Sequence, residues 1–108
     1  MATQQVTFPT KTSFVQFLVA AGLKDFIVVD KETAEALLTD RRLELLEYLR
    51  DNEVASVTAL AEALGRDKAA VSRDLDLLWA ESLIDFEHEG RRKIPYVWHE
   101  TVLVEPIL

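Results

Sequence analysis

The sequence predicts an α+β domain that is mainly α-helical, and three observations support this class. Two segments with apolar residues at helical spacing are joined at a glycine between residues 56 and 83. Two β-prone runs separated by Gly90 follow at once. The 108 residues are 49% hydrophobic, which suits one modest core and a folded rather than a disordered chain.

The segment at residues 56–83 is typical of two short helices joined by a tight turn. Ser56 or Thr58 can cap the first helix, because a hydroxyl oxygen accepts hydrogen bonds from the free N–H groups at a helix start. Gly65 tolerates the left-handed conformation that ends a helix, and Asp67 can cap the second helix, predicted over residues 67–82. The apolar stripes of the two helices consist of Leu60, Ala61 and Leu64, and of Val71, Leu75, Leu78 and Trp79.

A β-hairpin with a basic tip is predicted after this helix pair. Residues 83–87 alternate apolar and acidic side chains, as a half-buried strand does. The chain then turns around Gly90 with three consecutive cations, and residues 94–98 can return as the second strand, with Pro95 at an edge or bulge position. Two helices followed by such a hairpin form a winged helix-turn-helix, which is a three-helix core with a β-hairpin wing, here at residues 88–94.

The sequence resembles winged helix-turn-helix transcriptional regulators of the MarR-like and ArsR-like kind through LAEALGRDKAAVSRDLDLL and LIDFEHEGRRK. The closer resemblance, over residues 26–108, is to small archaeal predicted transcriptional regulators. They share the LLT-x-x-R-L start at residues 37–43, the LGRD turn at 64–67 and the V-S-R-D-L run at 71–75. Two residues depart from that pattern. Ser82 stands where these proteins usually have Gly, and Trp79 replaces a usual polar residue, either as extra core or as a partner surface.

The chain before and after these motifs completes the predicted architecture. Residues 1–38 are expected to form an N-terminal extension made of a helix at Lys11–Leu23, a short strand at 25–30 and a short helix to about Leu38. Residues 39–108 form the winged helix-turn-helix domain. Its first helix is capped by Thr39 or Asp40, and its apolar face consists of Leu43, Leu45, Leu46 and Leu49.

Two further strands are predicted. Residues 54–57 are expected to add a brief strand against the wing. The β-prone tail at residues 101–108 is expected to extend a sheet by pairing with residues 26–29. Because a three-helix core with a wing does not need residues 1–38, their apolar side chains either pad the same core or form a homodimer interface, and we favour the dimer.

Charge is the main argument against nucleic acid as a partner. The net charge is −7 and the isoelectric point is near 4.7. However, six of the twelve basic residues fall in the turn, the second helix or the wing tip. The alternatives are a merely solvated acidic protein, or a halophilic protein whose surface acids maintain solubility and which therefore folds better in molar salt.

Other classes of function are excluded more directly. Without cysteine there is no disulfide framework and no cysteine zinc site, which suits a reducing cytoplasm. The first apolar run is too short for a membrane span and lacks the basic start of a signal peptide. His88 and His99 are interpreted as structural residues, and Asp74 and Asp76 diverge on a helix, so no acid/base pair, metal site or cofactor site is predicted. We therefore expect no enzyme activity.

The sequence thus predicts a dimeric, sequence-specific transcriptional regulator that binds double-stranded DNA. Small and hydrogen-bonding side chains at the start of the second helix suit the major groove, and the basic wing tip suits the flanking backbone or minor groove. The alternative is a winged helix that binds protein and not DNA, which is favoured by the negative charge, by Trp79, and by Asp74 and Asp76, since both aspartates would repel phosphate. The predicted DNA-binding residues are Arg66, Lys68, Ala69, Ser72, Arg73, Arg91, Arg92 and Lys93.

Overall fold

The computed structural model describes residues 16, 19–22, 25–99 and 101–105, with the side chains of the last strand described only at Val102 and Val104. Most of the helix predicted at Lys11–Leu23 lies outside these residues. The elements in chain order are β1 (Phe26–Asp30), α1 (Lys31–Leu37), α2 (Asp40–Asp51), α3 (Val57–Leu64), α4 (Lys68–Ala80), β2 (Asp85–Glu89), β3 (Arg92–Tyr96) and β4 (Thr101–Glu105).

Each of the four helices described between residues 31 and 80 begins at a side-chain cap. The cap oxygens of Asp30, Thr39, Ser56 and Asp67 accept hydrogen bonds from the N–H three residues later, at 2.8, 3.4, 3.0 and 3.2 Å respectively. Such a cap is worth about 1 kcal/mol, because it satisfies a donor that the helix itself leaves free. The predicted helix starts are therefore confirmed to within a residue.

The predicted strand at residues 54–57 is wrong. Ser56 has an extended conformation, but its side chain caps α3, and Val57 is already the first helical residue. Val54 lies half-buried against the core without being part of a strand. The end of this run therefore serves as a helix start, and residues 52–55 form the loop that leads to it.

One core joins the four helices, β1 and the start of the wing. It contains Val29 of β1, Leu37 of α1, and the buried side chains of α2, α3 and α4. Two leucines and a tryptophan predicted on apolar faces behave differently: Leu64 is half-buried, Leu43 is 38% exposed and Trp79 is 54% exposed. Leu43 and Trp79 face solvent because each residue turns the helix by about 100°, which takes them off the stripes of Leu45 and Leu78.

Two two-stranded sheets complete the fold. β2 and β3 are antiparallel, with Glu89 opposite Arg92 and Phe86 opposite Pro95. Both strands of this hairpin are edges, which explains why Pro95 is tolerated. β1 and β4 are parallel, with Phe26 opposite Thr101, so the predicted pairing of the tail with residues 26–29 is confirmed, although it forms a separate sheet and does not extend the wing. The division of the chain at residue 38 stays a prediction.

The end of α4 differs from its predicted limit of residue 82. The helix stops at Ala80, and Ser82 has a φ of 63°, in the left-handed region. The N–H groups of Ser82 and Leu83 donate to the carbonyls of Trp79 and Leu78, both at 2.9 Å. The left-handed region favours glycine, and a serine there costs about 1 kcal/mol of backbone strain.

Candidate nucleic-acid interface

The turn between α3 and α4 fixes how α4 is presented. Gly65 has a φ of 63°, and the N–H of Arg66 donates to the carbonyl of Ala61 at 2.9 Å, which closes the end of α3. Asp67 then caps α4. With three residues between the closed end of α3 and the capped start of α4, the direction of α4 relative to α3 is determined locally.

A carboxylate on α4 holds this arrangement to the rest of the core. Asp74 Oδ2 accepts from Arg66 Nη2 at 2.8 Å, and Asp74 Oδ1 accepts from Arg42 Nε at 3.1 Å. The three side chains are only 12–19% exposed. Charged hydrogen bonds in such surroundings are stronger than surface ion pairs. The carboxylate therefore ties together the turn, α2 and α4.

Arg42 extends this connection to α1. Its Nη1 donates to the carbonyl oxygens of Leu37 at 3.0 Å and Ala36 at 3.4 Å, which are carbonyls at the end of α1. A guanidinium at a helix C-terminus satisfies carbonyls that have no partner within the helix. We call Arg42, Arg66 and Asp74 the arginine–aspartate cluster.

The opposite side of α4 faces solvent. Val71, Leu75 and Leu78 are buried, whereas Lys68, Ala69, Arg73 and Asp76 are exposed and Ser72 is partly exposed. Residues 69, 72, 73 and 76 have the spacing i, i+3, i+4, i+7, which places them on one face of the helix. Recognition helices use this same spacing to reach bases in the major groove. We call Lys68, Ala69, Ser72, Arg73 and Asp76 the outer face of α4.

The three cations of the wing do not share one face. Arg91 is exposed in the turn beside Gly90, while Arg92 and Lys93 are successive strand residues and so project to opposite faces of the hairpin. Lys93 lies over the ring of Phe86, with 5.6 Å from Nζ to the ring centroid, a cation–π distance. Arg92 stands opposite Glu89 on the other face.

That other face of the wing is acidic. Asp85, Glu87 and Glu89 alternate on β2, opposite Tyr96, Ile94 and Arg92. Partial burial, followed by the negative charges of Asp85 and Glu87 and a hydrogen bond with Asp85, raises the pKa of Tyr96 above its ordinary value. A groove of 520 Å³ separates this face from the end of α2.

The structure distributes the predicted DNA-binding residues over three settings. Lys68, Ala69, Ser72 and Arg73 come together on the outer face of α4, the wing cations lie on two faces and a turn, and Arg66 is held in the arginine–aspartate cluster. The expectation that both aspartates would repel phosphate fails for Asp74, because two guanidinium groups neutralise it. Arg66 and Asp74 are eight residues apart, and this spacing from the turn into α4 is a weak signal of their contact. Arg42 is 32 residues from Asp74, and no local pattern indicates that contact.

Other kinds of site are not supported by the described residues. Among them, no group of three or more His, Asp or Glu side chains is arranged to hold a metal ion. His99 is buried, and its Nε2 lies 2.7 Å from the carbonyl oxygen of Leu83, a contact that joins the segment before β4 to the connection between α4 and β2. Across the described residues, none of the helices has the length and apolar character that a membrane span needs.

Comparisons with known proteins agree with this architecture. The sequence model of the HVO_A0114 family matches residues 37–104. No curated protein matches the chain. Reduced HlyU from Vibrio cholerae N16961 is a similar solved structure, with 29% identity, 61% of this chain and 68% of that one covered, and a TM-score of 0.54.

Two further solved structures cover more of the chain. One is the homodimeric winged helix-turn-helix DNA-binding domain (fragment 1–100) of Mb0332 from Mycobacterium bovis, a possible ArsR-family transcriptional regulator. It has 26% identity, covers 93% of this chain and 78% of that one, and has a TM-score of 0.57. NolR from Sinorhizobium fredii, at 21% identity, covers 88% and 84% with a TM-score of 0.57 and is similar in fold alone. The chain has the winged helix-turn-helix fold.

Proposed function

The chain belongs to the HVO_A0114 family, and we propose that it is a dimeric, sequence-specific transcriptional regulator that binds double-stranded DNA. In this proposal α4 enters the major groove, and the wing at residues 88–94 lies on the flanking backbone or in the minor groove. The protein acts in the cytoplasm by occupying an operator. It uses no catalytic step and no cofactor.

The observation that carries the proposal is the sorting of cations near α4. Lys68 and Arg73 are exposed on its outer face, and among the described residues neither lies in an ion pair. Arg42 and Arg66, by contrast, are both engaged by the Asp74 carboxylate. On a chain with a net charge of −7, this leaves, in the described part of the structure, two unpaired cations where a recognition helix would meet DNA.

Each residue of the contact set has a chemical role. Lys68 suits phosphate, Ala69 lets the helix approach closely, and Ser72 and Arg73 are donors for base edges or flanking phosphates. Arg91, Arg92 and Lys93 suit the backbone or the minor groove. We leave Arg66 out of the contact set, because its guanidinium is engaged by Asp74, and assign it to orienting α4.

The dimer is supported by two observations. The similar Mb0332 domain is homodimeric. In addition, this chain exposes large apolar side chains, including Leu43, Leu77, Trp79 and Trp98. A two-fold dimer would place two recognition helices in successive major grooves, roughly 34 Å apart. Light scattering should give twice the protomer mass of 12.3 kDa, whereas a single protomer mass at working concentrations would contradict the dimer.

Charge reversal tests the DNA contact. Arg73→Glu combined with Arg92→Glu should abolish binding to duplexes selected from a random pool. Arg41→Glu combined with Arg50→Glu is the matched control, since both are exposed arginines on α2 and the change in net charge is the same. If both double variants lose binding equally, only global charge matters and the proposed surface is wrong.

Salt dependence gives a second test. The five cations of the contact set, Lys68, Arg73, Arg91, Arg92 and Lys93, limit the phosphates that one protomer can neutralise. The slope of log affinity against log salt should therefore be no steeper than about −4.5 per protomer. The acidic remainder of the surface also supports a protein that is adapted to high salt, for which the free energy of unfolding should rise between dilute buffer and molar salt.

A second candidate function is favoured by the exposure of Trp79 and Leu77 on α4. Exposed aromatic side chains are frequent anchors in protein interfaces. If the protein binds a protein partner instead of DNA, the Arg73 and Arg92 reversals leave its negligible DNA retention unchanged. Trp79→Ala then removes a protein partner other than a second copy of this chain, whereas under the first function it weakens at most the dimer.

A further inference from the structure

Asp76 is an unusual residue for a surface that meets DNA. It is exposed on the outer face of α4, one turn after Ser72 and three residues after Arg73. Among the described residues no cation lies within ion-pair distance of its carboxylate. Asp74, two residues earlier, is paired with two arginines, whereas Asp76 would bring an unpaired carboxylate into any complex. A carboxylate cannot approach phosphate favourably, so it needs another partner or it weakens binding.

The major groove offers a carboxylate two kinds of donor, the N4 amine of cytosine and the N6 amine of adenine. The adenine amine lies beside N7, an acceptor that would repel a carboxylate reaching across the same base edge. Cytosine has no acceptor on that side of its amine. A carboxylate on a recognition helix therefore selects cytosine over adenine, and it rejects guanine and thymine, whose major-groove hydrogen-bonding groups are all acceptors.

We propose that Asp76 determines sequence specificity by accepting a hydrogen bond from the N4 amine of a cytosine in the operator, close to a guanine bound by Arg73. The inference rests on the proposed function and specifies the base sequence that its surface selects. Side chains three residues apart on a helix are about 5–6 Å apart at Cβ. Successive base pairs are separated by about 3.4 Å. The two bases should therefore lie within one or two base pairs of each other.

The test is selection of bound sequences from a random duplex pool, performed in parallel with the unmodified protein, Asp76→Asn and Asp76→Ala. The unmodified protein should enrich a C·G pair near a guanine whose enrichment is lost in Arg73→Ala. Asp76→Asn should move the preference from cytosine to adenine, because an amide can both donate to N7 and accept from N6. Asp76→Ala should remove the preference at that position. One base contact discriminates against the wrong base by at least roughly fivefold, and that discrimination should be lost.

Asp51→Asn is the matched control. It removes the same charge from an exposed aspartate at the end of α2, outside the outer face of α4, and it should leave the selected sequence unchanged. Because Asp76 is exposed and unpaired among the described residues, its variants should unfold at the same denaturant concentration as the unmodified protein. A change in selected sequence then reports on base contact and not on folding.

The outcomes separate this inference from the function on which it rests. If the unmodified protein selects a sequence and both Asp76 variants select the same one, the cytosine contact is overturned while the regulator proposal stands. If Asp76→Ala only raises affinity for all duplexes without altering base preference, the carboxylate is merely repulsive and the inference is likewise overturned. If no duplex is retained at any salt concentration, both proposals are overturned.

Discussion

Asp74 and Asp76 are the same residue type two positions apart on α4, yet their surroundings are opposite. The Asp74 carboxylate is 15% exposed and accepts hydrogen bonds from two arginines. The Asp76 carboxylate is exposed and, among the described residues, has no ion-pair partner. Two residues rotate a helix by about 200°, so one aspartate faces the core and the other faces solvent. A count of acidic residues therefore says little about what a surface presents to DNA.

The same contrast separates two arginines. Arg66 and Arg73 are both close to the start of α4, but Arg66 binds Asp74 and Arg73 is free in the described part of the structure. Arg66 stabilises the position of the helix, and Arg73 is available to a partner. In each pair, one residue (Asp74 or Arg66) holds α4 in position, and the other (Asp76 or Arg73) is exposed on its outer face.

The largest expected effect is the loss of stability when Asp74 is replaced. Asp74→Ala leaves two partly buried guanidinium groups without their counterion and should lower the free energy of unfolding by about 3 kcal/mol. Asp76→Ala should change it by less than about 0.5 kcal/mol, because the residue is exposed. Both substitutions gain the same helix propensity. The difference between the two variants in urea unfolding therefore measures the effect of the different surroundings of Asp74 and Asp76. Equal losses of stability would show that the contrast between the aspartates is wrong.

The second prediction compares the two arginines, one of which should affect mainly DNA binding and the other mainly stability. Arg73→Gln should leave stability within about 0.5 kcal/mol of the unmodified protein and reduce affinity for the selected duplex by about 1–3 kcal/mol. Arg66→Gln should lower stability by about 1–2 kcal/mol, since Asp74 retains Arg42 but loses one charged hydrogen bond. Its affinity, corrected for the folded fraction, should fall less than that of Arg73→Gln. Calorimetric titration with the duplex at one salt concentration measures the affinities of both variants. A larger loss of affinity in Arg66→Gln than in Arg73→Gln would return Arg66 to the contact set.

The features that could be predicted from the sequence are those that depend on near neighbours. The caps at Thr39, Ser56 and Asp67, and the left-handed Gly65, each follow from a residue and the three or four that come after it. The wing followed from period-two alternation around Gly90 in the same way. These features place α4 and the hairpin, and with them most of the candidate surface.

The features that were missed depend on contacts between distant segments. Arg42 reaches Asp74 across 32 residues, so charge patterning along α4 gave no sign that one of its acids was neutralised. The periodic stripe allowed Trp79 to be either buried or exposed. In the fold, Leu78 is buried and Trp79 beside it is exposed. Strand alternation alone predicts that Arg92 and Lys93 project to opposite faces of the hairpin. The interpretation of three consecutive cations as one basic tip overlooked this alternation.

The smallest expected effect concerns a third arrangement of acids, in which Asp85 and Glu87 are neither neutralised nor free of neighbours but lie beside Tyr96. Partial burial and these two charges raise the pKa of Tyr96, so the folded state retains the phenol proton at a pH where the unfolded chain begins to release it. This contribution to stability is present below the unfolded pKa and is lost as the pH rises through the folded pKa. Glu87→Gln should bring the pKa of Tyr96 closer to its ordinary value, as measured by phenolate absorbance in a Tyr48→Phe background where Tyr96 alone titrates. An unchanged midpoint would mean that the charge of Glu87 does not contribute to the shift, which would then rest on burial and on Asp85.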